Sequence, residues 1–112
     1  MLSAVSLAEL LPMPEGQKTS LPLLDVKNET KLVLVAIPGG TEIAAHEGPY
    51  PATVLLLKGS IEVMLGEAWT SMAPGETVAI SAGLRHAIRA GKGSYFIVAH
   101  LRGLGARAMA SV

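Results

Sequence analysis

Short strand-like segments separated by glycine- and proline-rich turns make up most of the sequence after Lys31. Apolar runs such as Leu32 to Ile37 end at turn residues about every ten positions, and no long amphipathic helical pattern interrupts them. Only one helix is predicted, over residues 7–11, where Ser6 is a good N-cap and Pro12 stops the helix. The pattern is typical of an all-β sandwich or barrel.

The length of 112 residues fits one domain, and 50% hydrophobic residues are enough for a core built from aliphatic side chains. The sequence divides into an N-terminal arm with a short helix (residues 1–20), a β-barrel (residues 21–102) and a C-terminal tail (residues 103–112). Within the barrel, Gly59 is expected to join two separate strands. Gly91-Lys92-Gly93 is expected to form the tip of a hairpin, which would place Val98 opposite His86.

Composition excludes several classes of function. Nine basic residues balance nine acidic ones, and one Trp, two Tyr and one Phe offer no stacking platform, so nucleic-acid binding is not expected. The absence of cysteine excludes disulfides, Cys-based zinc sites and thiol nucleophiles. No apolar run approaches the roughly 20 residues of a membrane helix, and the N-terminus has no signal-peptide pattern, so a cytoplasmic protein without membrane association is expected.

Several predicted strands are apolar on both faces, which an antiparallel sheet with one solvated face would not show. Examples are LVLVAI, TVLLL and YFIVAHL. Something must therefore cover the outside of the sheet. A second copy of the chain is the favoured cover, and we predict a homodimer. The alternative cover is the N-terminal arm, which is expected to hide one strand but not three.

Two segments, Gly40 to Gly59 and Gly75 to Ala90, carry the residues from which a family resemblance follows. Their matching residues are Gly40, His46 and Gly59 in the first segment and Gly75, Gly83 and His86 in the second. The spacing resembles the paired motifs of the cupin superfamily, which are small double-stranded β-helix (jelly-roll) barrels. The departures are Gly48 and Ala52, where a histidine and a glutamate belong, together with Ser81 and Ala90 for a proline and an asparagine. The resemblance implies an RmlC-like jelly-roll fold.

The resemblance also implies one divalent transition metal, Fe, Mn, Ni, Cu or Zn, inside the barrel. Of the expected ligands this sequence keeps only His46 and His86, and His100 is the best candidate for a third. Two imidazoles fall short of the three protein ligands of a catalytic zinc site. Glu42 shares the strand parity of His46 and is a candidate carboxylate that faces inward.

The positions left by the missing ligands predict a larger and more apolar pocket. Its expected lining residues are Glu42, Tyr50, Ala52, Val54, Leu56 and Val98. Such a pocket suits an uncharged or monoanionic small molecule, since a buried charge without a partner is costly. Two functions stay open: a small-molecule-binding cupin with a partial two- or three-His metal site, or a metal-dependent dioxygenase, isomerase or decarboxylase acting on a small organic acid, sugar or phenol.

Overall fold

The computed structural model describes residues 4–103, which form one short helix and seven β-strands. All strand pairs are antiparallel, and the all-β prediction is confirmed. The predicted C-terminal tail lies outside the described residues apart from Gly103. No helix in residues 4–103 is long and apolar enough to cross a membrane. The elements are α1 (Leu7–Leu10), β1 (Thr19–Val26), β2 (Thr30–Ile37), β3 (Glu42–His46), β4 (Ala52–Leu65), β5 (Ala68–Met72), β6 (Thr77–Ile80) and β7 (His86–Leu101).

The two longest strands, β4 and β7, pair along their whole length and belong to both sheets of the barrel. Residues 52–56 of β4 pair with residues 96–100 of β7, and residues 61–65 pair with residues 86–90. Around the first pairing, β6 lies beyond β4, while β2 and then β1 lie beyond β7. Around the second pairing, β5 lies beyond β4, and β3 lies beyond β7. The result is a jelly-roll of two facing sheets.

The ladder between β4 and β7 turns from one sheet to the other at its glycines. Its register shifts between Leu56 and Ile61 on β4, where Gly59 has φ +102°, and Gly91–Gly93 lie opposite on β7. The predicted hairpin at Gly91-Lys92-Gly93 is therefore wrong, and β4 does not break at Gly59. Val98 pairs with Val33 and Val54 rather than lying opposite His86. Glycine permits a sharp corner as readily as a chain reversal, so composition alone did not distinguish them.

The main core fills the space between the two sheets. Phe96 and Leu56 are completely buried there, and both sheets contribute aliphatic side chains to the same cluster. Each fully buried aliphatic or aromatic side chain contributes about 1.5–3 kcal/mol through removal of apolar surface from water. With one Phe in the chain, this stabilisation comes mainly from Val, Leu and Ile.

A second apolar cluster lies on the outer face of the barrel and is covered by the N-terminal arm. Leu7, Leu11 and Met13 pack against a patch to which β2, β4 and β7 all contribute. The Tyr95 hydroxyl donates a hydrogen bond of 2.8 Å to the Leu11 carbonyl and fastens the arm. The arm therefore packs over three strands, so the expectation that it would hide only one was wrong. Its cover accounts for part of the apolar outer face of these strands. The homodimer stays a prediction.

Candidate functional site

A cavity of about 340 Å³ opens into the barrel between the sheets. Its inner wall is apolar and buried, since Val54 and Phe96 are 1% and 0% exposed. Polar groups lie toward the solvent side, where His46 and Tyr50 are exposed. The full lining is Lys18, Ser20, Val33, Val35, Ile43, His46, Gly48, Pro49, Tyr50, Ala52, Val54, Ile80, His86, Ile88, Phe96, Val98 and His100. The cavity is therefore an apolar chamber with a polar mouth.

Two of the three predicted histidines lie side by side in this lining. His46 and His86 are cross-strand partners of β3 and β7, and their ring centroids are 4.2 Å apart with an interplanar angle of 61°. The Nδ1 of His46 donates to the Ala44 carbonyl at 3.0 Å, and the Nδ1 of His86 donates to the Leu84 carbonyl at 2.8 Å. Because a carbonyl oxygen only accepts, these contacts place the hydrogen of each neutral ring on Nδ1 and leave Nε2 as an acceptor.

The third predicted histidine, His100, lines the same cavity from the far end of β7. A straight strand would place His86 and His100 about 45 Å apart, so the corner at Gly91–Gly93 is what brings both to one chamber. Burial lowers the pKa of His100 below its usual range, and the positive charge of Lys31 lowers it further. Both effects favour the neutral form of His100.

The predicted carboxylate, Glu42, does not line the cavity; its strand neighbour Ile43 does. The register of β3 against β7 explains this, because Ile43 pairs with Ile88 but His46 pairs with His86. One extra residue therefore lies on β3 between Ile43 and His46, and such a bulge reverses the parity of everything beyond it. Glu42 and His46 consequently face opposite sides.

The outer surface holds the acidic groups near this strand. Arg89 donates to Glu62 at 2.8 Å and stacks on the Trp69 ring at 3.9 Å. That hydrogen bond is the main reason why the pKa of Arg89 is raised, and the charge of Glu42 contributes less. Glu47 lies 3.8 Å from Arg85. The carboxylates closest in sequence to the histidine pair thus interact with arginines rather than with the cavity.

The remaining predicted pocket residues divide by depth. Tyr50, Ala52, Val54 and Val98 line the cavity, whereas Leu56 does not and is fully buried in the core. The sequence interpretation missed more than half of the residues that line the chamber. The inward faces of β2 and β6 could have been found from strand parity, through Val33, Val35 and Ile80. Lys18 and Ser20 gave no signal, because they lie in the N-terminal arm, outside the predicted barrel.

Comparison with known proteins identifies the family. Residues 33–98 match the Cupin domain family, which is more than half of the chain. The chain belongs to the cupin family. None of the curated proteins matches this cupin. The match begins on β2 and ends on β7, so it contains the histidine pair and most of the chamber.

Solved structures support the same fold at low sequence identity. A conserved protein of unknown function from Streptococcus pyogenes has a TM-score of 0.82 at 22% identity, over 91% of this cupin and 89% of that chain. A cupin superfamily protein from Desulfitobacterium hafniense has a TM-score of 0.82 at 19% identity, over 90% and 92%. An RmlC-like cupin from Shewanella frigidimarina has 0.73 at 15%, over 78% of each chain. The small RmlC-like jelly-roll expected from the sequence is thereby confirmed.

The donor set of this cupin does not fit a resident transition metal. The Nε2 atoms of His46 and His86 are available as ligands, and a carbonyl behind each Nδ1 is the usual outer partner of a metal-binding imidazole. In residues 4–103, however, no three His, Asp or Glu side chains are grouped so that they could hold a metal ion. His100 shares the cavity without completing such a group.

Proposed function

We propose that this cupin binds a small, largely apolar molecule in its barrel cavity. The observation that carries the proposal is the cavity itself, a chamber of about 340 Å³ with a buried aliphatic and aromatic wall. Its volume lies at the lower end of known ligand pockets, which measure roughly 300–1,000 Å³ and are mostly apolar with a few polar groups. A single-ring or short branched molecule matches this size.

The scarcity of charged side chains in the described lining supports a ligand that buries no charge of its own. In the described part of the chain, no Asp or Glu contributes to the cavity wall, and Lys18 lies at the exposed side. A ligand cation would find no counter-ion inside, and a buried, unpaired charge is strongly unfavourable. A ligand anion could place its charge only at the mouth. The binding energy would come from apolar burial, at about 25 cal/mol per Å².

A cavity-filling substitution tests the proposal. Ala52 is buried and lines the cavity, so Ala52→Phe should occupy the space that a ligand needs. Ala79→Phe is the matched control, because Ala79 is exposed on the neighbouring strand β6. The probe is phenol, and binding is followed by NMR of the methyl groups of Val54, Ile80 and Val98. We expect saturable shifts in the parent and in Ala79→Phe, and none in Ala52→Phe. Equal binding by both variants would place the ligand elsewhere and reject the proposal.

A metal-dependent enzyme acting on a small organic acid, sugar or phenol is the second candidate. One observation favours it: both Nδ1 atoms are held by carbonyls, as in metal-binding histidines. The shortage of protein ligands counts against it. Elemental analysis after purification without added metal separates the candidates. About one equivalent of transition metal in the parent, absent from His46→Ala, would favour the enzyme. No retention after loading with Fe, Mn, Ni, Cu or Zn would eliminate it.

A further inference from the structure

The two neutral rings of the histidine pair at the cavity mouth can accept hydrogen bonds from a ligand but cannot donate them. Both Nδ1–H groups are already used by carbonyl oxygens of their own strands or of the preceding turn. Each neutral ring therefore presents Nε2 as an acceptor and has no N–H left to donate. The two rings lie 4.2 Å apart, centroid to centroid, so the acceptors belong to one small area of the lining.

We propose that His46 and His86 form a metal-independent recognition site for a hydroxyl group. The ligand is then an apolar alcohol or phenol whose hydroxyl donates to Nε2 of one of these rings while its body fills the chamber. This inference rests on the proposed function, because it assigns the chemistry of a ligand in the same cavity. It also gives the pair a role that two imidazoles can perform without a third metal ligand.

The rest of the lining narrows the ligand class. A sugar would carry several hydroxyls into a wall that is mainly aliphatic, where most of them would lose hydrogen bonds to water. An ammonium group would find no carboxylate among the described lining residues. A carboxylate has no hydrogen to donate to the two acceptors. Among the lining residues within 4–103, the only Lys or Arg is the exposed Lys18. A ligand with one hydroxyl on an apolar body could donate to an imidazole at the mouth and pack its body against the apolar wall of the chamber.

The experiment compares three probes of similar size on the full chain, dialysed against EDTA: phenol, fluorobenzene and benzoate. Fluorobenzene differs from phenol mainly in lacking the donor. We expect phenol to bind about three- to tenfold more tightly than fluorobenzene. This ratio of dissociation constants corresponds to the net free energy of one neutral hydrogen bond. Phenol should also perturb the Nε2 signals of His46 and His86 in long-range ¹⁵N–¹H spectra of the parent, and fluorobenzene should not. This readout needs no variant.

Substitutions of His46 and His86 test whether these two residues cause the preference for phenol over fluorobenzene. His46→Phe and His86→Phe should each reduce the preference for phenol, and the double variant should abolish it while fluorobenzene still binds. Equal binding of phenol and fluorobenzene by the parent, or tighter binding of benzoate, would overturn the inference and leave the proposed function standing. A preference that appears only after a transition metal is added would also overturn it. If none of the three probes binds, the proposed function fails as well.

Discussion

Replacing Gly59 with alanine should strongly destabilise this cupin, although the side chain adds only a methyl group. Gly59 has φ +102°, a conformation that residues with a Cβ rarely adopt. The new Cβ would lie 2.6 Å from the Gly93 carbonyl oxygen and 2.7 Å from the Ser94 Cα, and it would also overlap the Ser94 hydroxyl. Two of these neighbours are backbone atoms of β7, so rotation of a side chain cannot relieve the overlap.

The expected loss in the free energy of unfolding of Gly59→Ala has two parts. Backbone strain of this kind costs about 1–3 kcal/mol, and forcing an additional carbon into a packed site costs a further 1–3 kcal/mol or so. A total of about 4 kcal/mol is a large share of the roughly 5–15 kcal/mol by which a domain is stable. Gly40→Ala is the matched control, because Gly40 has φ +81° but no atom within 4 Å of an added Cβ. Its cost should be the backbone part alone.

Thermal and urea unfolding followed by circular dichroism measure both variants. The difference of about 2 kcal/mol between them corresponds to a melting temperature roughly 8–16 °C lower for Gly59→Ala. If the two variants were equally stable, the close packing of β4 against β7 at this corner would be disproved. Restoration of most of the loss by adding Ser94→Gly would show that the hydroxyl, rather than the backbone of β7, causes the clash.

Two further predictions concern pH and assembly. The pKa of His100 is lower in the folded state than in the unfolded chain. Between the folded pKa and about 6.5, the unfolded chain therefore binds more protons than the folded one. The free energy of unfolding should consequently fall as the pH drops below about 6.5. His100→Gln should flatten this dependence in urea titrations from pH 8 to pH 5, and an unchanged slope would contradict the assignment. For the homodimer, we propose the edge strand β1, where Leu23 and Leu24 are 44% and 46% exposed. Sedimentation should show a dimer for the parent and a monomer for Leu24→Arg, and a monomeric parent would refute the interface.

The fold could be predicted because its determinants are local. Strand parity, turn residues and the capped helix at Ser6 are read within a few positions, and the structure places a helix at Leu7–Leu10 and strands near the predicted segments. The corner at Gly91–Gly93 could not be predicted in the same way. Whether glycines reverse a chain or bend it depends on the strand alongside, and here β4 continues past the same point.

The candidate site was predicted where its determinants are local and mispredicted where they depend on a distant strand. His46 and His86 were found from motif spacing, and cross-strand pairing of β3 with β7 brings them together. Glu42 was misplaced by one bulge, a feature that depends on register with a distant strand rather than on the sequence of β3 itself. His100 reaches the cavity, but through a corner of β7 and not through the hairpin that had been expected.

The bulge in β3 has a consequence for the chemistry of the whole site. An unbroken strand would turn Glu42 toward the side of His46 and place a carboxylate on the inward face, about 13 Å along the strand from that histidine. With the extra residue, Ile43 occupies that side, and the charge of Glu42 acts on Arg89 at the outer surface. A single register shift therefore keeps the carboxylate of Glu42 off the inward face of β3. This is the structural reason to test hydroxyl compounds without metal first.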